Sequence, residues 1–271
     1  MKTKYPLVLP AACRRWLSAL PLLLVLIAAP LAQADTLVFD NVSNFRNGVA
    51  GASGASTSST PNTFMGDGFA LLSGTQNISG FDLYPVNASG TNFTGIKITV
   101  YVWQTVNTSG TVNATTPAFS NLLNSYTATF SGSFTTGFYY PLESASPGVT
   151  PGFVLGTPLT ISGTQIGLTF NYQGTTDGVT YNNVNSLTSL ITYGTPPTVG
   201  SNVFSGYYRN ANSETNGNFT SALRTLGNAN ESLGVRVYST SVVPEPATWA
   251  MMVGGVGMLV FVQRFRRARK A

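Results

Sequence analysis

The 271-residue sequence contains no histidine and a single cysteine. The missing imidazole excludes Ser-His-Asp catalysis, Cys-His catalysis and histidine-ligated metal in one step. Any acid–base chemistry would fall to carboxylates, tyrosine or a rare lysine. The one thiol, Cys13, lies in the N-terminal segment read below as a removable leader. Without that segment the chain has no disulfide and no thiolate metal site. A body of about 200 residues buries roughly 70% of its unfolded surface and needs no such staple. Charge is also scarce, at 8% of residues, and it is unevenly placed.

The formal charge of +5 comes from the two ends. Lys2, Lys4, Arg14 and Arg15 stand in residues 1–34, and Arg264, Arg266, Arg267, Arg269 and Lys270 close the chain; neither segment holds an acid. Residues 35–263 carry five bases against all nine acids, so the body is mildly acidic. A surface that tracks phosphates needs clustered Lys and Arg. Nucleic acid is therefore not an expected partner.

The front end has a basic stretch to Arg15, an apolar run from Trp16 to Leu31, and Ala32-Gln33-Ala34 before Asp35. This is the three-part pattern of a secretory signal helix cut after Ala34. Ala32 and Ala34 are the small residues that a signal peptidase accepts at its two key positions. Cys13 is not at the cut, so a lipoprotein signal is not indicated.

After Asp35 the composition shifts to Ser, Thr, Asn and Gly. Apolar residues recur with period two. In 96–103, Ile96, Ile98, Val100 and Val102 fall on one face, and Lys97, Thr99, Tyr101 and Trp103 on the other, as in a half-buried strand. Further strands are expected at 36–40, 68–72, 78–84, 125–130, 137–142, 159–172, 187–193 and 233–238. The long one should bend or break at Ser162-Gly163. Turn chemistry separates them, as at Ser146-Pro147-Gly148 and Asp177-Gly178. Many short strands without intervening helices predict an all-β fold. The expected architecture is an antiparallel β-sandwich of jelly-roll type, one domain over 35–240, joining TLVFD and GVRVY. Asn-x-Ser/Thr triplets occur at Asn77, Asn87, Asn92, Asn107, Asn113, Asn218 and Asn230, a frequency that chance produces in a chain of this composition.

The tail, 241–271, has three parts in order. Pro244 and Pro246 hold the chain extended around Glu245. Trp249 sits where a chain enters a bilayer. The uncharged run Ala247–Val262 has 16 residues; as a helix it spans about 24 Å, short of the roughly 30 Å of a hydrocarbon core. Gly254, Gly255 and Gly257 weaken it further. Arg264, Arg266, Arg267, Arg269 and Lys270 then form a basic stop that stays on the cytoplasmic side. This predicts a short C-terminal transmembrane helix that holds the chain briefly during export.

Val243-Pro244-Glu245-Pro246, the Trp-Ala-Met segment, the glycine-rich span and the terminal arginines together resemble the PEP-CTERM sorting signal of Gram-negative bacteria. The resemblance covers about the last thirty residues. It implies recognition by an integral-membrane exosortase that cleaves near Pro-Glu-Pro, with Pro244, Glu245, Pro246 and Trp249 as the sorting motif. It also implies a setting of exopolysaccharide and biofilm.

The expected function is that of an exported, exosortase-sorted surface or extracellular-matrix protein with a structural or adhesive role. The alternative is a carbohydrate-binding module that stacks sugars on Tyr101, Trp103, Tyr207 and Tyr208, with Tyr139 and Tyr140 as further candidates. A carboxylate glycosidase would need two acids about 5–10 Å apart. Asp35, Asp40, Asp67, Asp82, Glu143, Asp177, Glu214 and Glu231 are the available set, and sequence brings no two together. No Asp-x-Asp-x-Asp loop is present for calcium. The reading is of a non-enzyme with no catalytic residue, cofactor or metal. Its partners are signal peptidase and exosortase, the inner membrane in transit, and extracellular polysaccharide. Its final location is the cell surface or beyond.

Overall fold

The computed structural model describes residues 34–45, 47–50, 64–72, 76–109, 111–184, 187–209, 219 and 223–241, together with Gly254, Gly255 and Met258. Asp35–Ser241 forms one compact unit. Its described part is built entirely from strands and loops. The strands are β1 Ala34–Asp40, β2 Asn47–Ala50, β3 Met65–Ala70, β4 Gln76–Leu83, β5 Pro85–Asn87, β6 Phe93–Val106, β7 Phe119–Phe134 and β8 Phe138–Tyr139. They continue with β9 Phe153–Ile161, β10 Gln165–Thr175, β11 Asn182–Asn183, β12 Leu187–Tyr193, β13 Ser201–Asn202, β14 Tyr208–Arg209, β15 Ser232–Leu233 and β16 Val235–Ser241. The fold is all-β, as the period-two pattern predicts.

Three sheets result. One runs β1-β16-β4-β9, a second β13-β3-β10-β6-β7 with β11 and β14 attached, and a third β15-β12-β5-β8 with β2 beside β12. The registered pairings, such as β6 with β7 and β10 with β6, are antiparallel. First and last strands are neighbours, so TLVFD and GVRVY lie in one sheet. Asp40, at the end of β1, meets Arg236 near the start of β16. The two strands therefore run in opposite directions, and both ends of the body leave from the same end of that ladder.

The core follows from alternation. Ile96, Ile98, Val100 and Val102 are fully buried, while Lys97, Thr99 and Tyr101 on the other face are half-buried. They join Ile166, Leu168 and Phe170 of β10, Ile78 and Phe81 of β4, and Val235 and Val237 of β16 in one cluster. Burial of each such side chain is worth about 1.5–3 kcal/mol, and it fixes register because a one-residue slip would turn the whole row to solvent.

Several boundaries differ from expectation for local reasons. The long segment does break at Ser162-Gly163: β9 ends at Ile161, β10 starts at Gln165, and Gly163 has φ +89°. Strand β3 begins at Met65, earlier than Gly68, because its glycines are packing positions. A Cβ at Gly66 would lie 2.4 Å from the Phe219 ring, and one at Gly167 of β10 would lie 2.4 Å from Phe119. Strand β7 outruns the expected 125–130 because bulges, between Leu122 and Asn124 and between Ser131 and Phe134, let pairing resume on either side. Only Phe138–Tyr139 of the expected strand 137–142 is regular; Leu142 makes an isolated bridge to Leu83.

Two of the Asn-x-Ser/Thr triplets are structural. Asn87-Ala-Ser-Gly-Thr91 and Asn107-Thr-Ser-Gly-Thr111 flank β6 and form the same loop. In each, the asparagine amide donates to the threonine carbonyl at 2.8 Å, and the serine N–H and hydroxyl donate to the asparagine Oδ1. Asn87 is wholly buried and also donates to the Phe134 carbonyl at 2.7 Å, so no glycan fits on it in the folded body.

Candidate functional site

Four places in the chain hold groups capable of chemistry or recognition. The densest is a charged cluster on the first sheet. Arg236 of β16 lies directly across from Asp82 of β4. Its Nη1 stands 3.2 Å from Asp82 Oδ2 and 2.6 Å from Glu143 Oε1, and its Nε 3.4 Å from Asp40 Oδ1. The guanidinium also lies over the Tyr84 ring, 5.9 Å from its centre, and Tyr84 donates its hydroxyl to Glu143. Tyr238 donates to Asp82 Oδ2 at 2.5 Å, and the Gly152 N–H donates to Asp82 Oδ1 at 2.8 Å. Burial is the largest influence on Asp82 and raises its pKa against these bonds. At Asp40 burial is overcome by bonds from Ser43 and Val42 and by the charge of Arg236, and the pKa falls. Burial, above all, raises the hydroxyl pKa values of Tyr84 and Tyr238. Three of the acids considered for glycoside hydrolysis thus converge. The arginine holds them, however, and Asp82 and Glu143 share one of its nitrogens, which is the form of a buried ion network.

Asp67 of β3 is a second, different case. It is fully buried, and among the described residues no cation pairs with it. Its Oδ1 accepts from the Gly68 N–H at 2.7 Å, and its Oδ2 from the Ser232 hydroxyl at 2.7 Å and the Leu233 N–H at 2.8 Å. Those bonds favour the anion, but burial outweighs them and pushes the carboxyl up to about 8. The carboxyl ties β3 to β15 across two sheets. Nothing in its alternating strand pattern marks it; Asp between two glycines reads as a turn. Asp177 is the opposite, an exposed turn carboxylate. The Thr175 hydroxyl and the Val179 and Thr180 N–H groups hold its pKa below the usual range. Among the described residues, no three acids stand together as a metal cluster.

The aromatic candidates divide by exposure. Trp103, Tyr207 and Tyr208 are buried, at 5%, 2% and 3% exposure. This corrects the sugar-stacking reading for all three, because a stacked sugar needs an open ring face. Trp103 instead stacks on Phe119, and its indole N–H donates to the Thr169 hydroxyl at 2.9 Å. Tyr208 packs on Phe119, Phe204 and Phe219. Tyr101 is half-buried and meets Phe64 edge-on. Tyr140 is half-buried too, its hydroxyl donating to the Thr135 carbonyl. Among the described residues the open rings are Phe138 and Tyr139 of β8, 61% and 48% exposed.

The fourth place is the tail. Pro244, Glu245, Pro246, Trp249 and the basic stop Arg264, Arg266, Arg267, Arg269 and Lys270 lie outside the described residues, as does Ala32. Ala34 opens β1. Among the described residues no helix is long and apolar enough to cross a membrane. In comparison with known families, residues 242–267 match the PEP-CTERM protein-sorting motif. The chain carries a PEP-CTERM sorting signal. The matched segment spans Pro244–Pro246, Trp249, the uncharged run and the first three arginines of the stop. A PEP-CTERM signal implies processing by an exosortase during export, and delivery to the cell surface or the medium. No match was found among curated proteins or among solved structures.

Proposed function

We propose that this PEP-CTERM protein is a non-catalytic structural or adhesive component of the cell surface or extracellular matrix, in a setting of exopolysaccharide and biofilm. The sorting signal at 242–267 carries the reading. In this account the signal peptide leaves after Ala34, the tail is cut near Pro244-Glu245-Pro246, and the β body acts outside the cell. The body suits that place: it holds no cysteine and no histidine, and little charge. The adjacent ends of β1 and β16 suit the route, since a body leaving from one end can stay tethered to one membrane by either segment. Replacing Pro244, Glu245 and Pro246 with alanine is expected to leave the tail uncut and the chain in the inner-membrane fraction. Release of that variant at the normal rate would remove the motif from the account.

A second reading, carbohydrate binding on a jelly-roll body, draws support from the exposed Phe138 and Tyr139 and from no other aromatic pair among the described residues. Stacking on such rings is tolerant of sugar type and suits a polysaccharide. Phe138→Ala with Tyr139→Ala is expected to reduce retention on the producer's own polysaccharide at least tenfold. Equal retention would leave the structural role alone.

A further inference from the structure

The edges of the three sheets are not equally protected. An exposed strand edge offers unpaired N–H and C=O groups to another strand, and proteins blunt it with charge, proline, bulges or brevity. Here β8, β13 and β15 have two residues each. Strand β9 carries Pro158, and β1 carries Asp35 and Asp40. Strand β7 ends its sheet with sixteen residues and has no charged residue and no proline. Its bulges lie toward the two ends, leaving a regular ladder of Asn124–Ser131 against Gly95–Val102. Eight residues extend about 27 Å, ample for strand pairing.

Burial along the ladder points the same way. Ile96, Ile98 and Val100 of β6 are fully buried, whereas Phe130, Ala128 and Tyr126, paired opposite them, are half-buried. These three pack on the core, and no strand is paired to them on the outer side among the described residues. The alternate row, Ser125, Thr127, Thr129 and Ser131, is exposed and polar. A partner strand must therefore be long, uncharged and alternating. Of the body's long edge strands, only β7 itself fits. Two copies brought together antiparallel would meet without opposed charges, and each would extend the apolar row of the other.

We infer that β7 pairs with β7 of a second copy of this chain, joining two seven-stranded sheets edge to edge. The inference rests on the β body alone and holds or fails apart from the sorting signal. It supplies a physical means of self-adhesion for a protein set outside the cell.

The test uses the mature protein recovered from its producing cells, measured by light scattering over a range of concentrations. Thr127 lies at the middle of the ladder, and its one side-chain bond, to the Thr99 hydroxyl, is exposed. Thr127→Lys would set like charges against each other at the two-fold axis, and so would Thr127→Glu. The expected result is a concentration-dependent dimer for the natural chain, loss of the dimer in each variant, and its return when the two variants are mixed. Circular dichroism and melting of the variants are expected to be unchanged. A natural chain that stays monomeric at every concentration would overturn the inference, as would a dimer that survives both substitutions. Concentration-independent protection of β7 amides in a monomer would also overturn it, because the edge would then be covered by another part of the same chain.

Discussion

Asp67→Asn tests whether a buried, uncompensated carboxyl sets the pH response of this fold. In the natural chain its pKa is about 8, against 3.8 for an exposed aspartate. The native state therefore holds this proton more tightly than the unfolded chain does. The resulting stabilisation is fully present below about pH 4, declines as pH rises, and is lost above about pH 8. At 1.36 kcal/mol for each pH unit the difference corresponds to roughly 5–6 kcal/mol. The amide does not titrate. Its NH2 group also cannot accept, as either oxygen of the neutral acid can, where donors stand on both sides, so the variant should be less stable at low pH by about 1–3 kcal/mol. The assay is urea unfolding from about pH 5 to about pH 9. The stability difference between the two proteins is expected to shrink with rising pH and then reverse. Taking the difference cancels the other titrating groups. Parallel curves across that range would instead mean that Asp67 stays ionised in the native state and that burial does not govern its proton.

Three further outcomes follow from packing and charge. Gly167→Ala places a methyl 2.4 Å from the Phe119 ring and should cost about 1–3 kcal/mol in chemical denaturation; no loss would mean that the aromatic cluster shifts freely. Arg236→Met removes the cation from Asp40, Asp82 and Glu143 and should cost about 3–5 kcal/mol at neutral pH. That loss should lessen in acid, where the carboxylates are neutral, and a cost independent of pH would exclude the electrostatic cause. Asn87→Ala removes one buried and one partly buried donation and should destabilise by about 1–3 kcal/mol, whereas Asn107→Ala, in the matching exposed loop, should change melting little.

Much of the fold was legible because alternation is strong where one face is buried. Ile96–Val102 read as a strand and is the central row of the core. Leu187–Tyr193 matched β12 end to end, and the break at Ser162-Gly163 was marked by its turn chemistry. Partnering was not legible. Three sheets sharing one core look, in sequence, like any set of short strands. The early start of β3 was not legible because the value of Gly66 lies in the distant rings of Phe119 and Phe219. Trp103 and Tyr208 stood as candidate sugar platforms because aromatic residues serve core and surface equally well. The Arg236 network was hidden for the same reason: Asp40, Asp82, Glu143 and Arg236 are spread over nearly two hundred positions and meet only through pairing. The tail was the most readable part, since motif, span and basic stop are local and ordered along the chain.

The central claim is that both ends are removed in transit and the β body is what works outside. Intact-mass spectrometry of the exported protein, from cells with and without the exosortase, tests it most directly. With the enzyme, the account predicts a chain that starts at Asp35 and ends near Pro244-Glu245-Pro246. Without it, the tail through Ala271 should remain. A mature chain that keeps Arg264–Lys270 in cells holding an active exosortase would contradict the account.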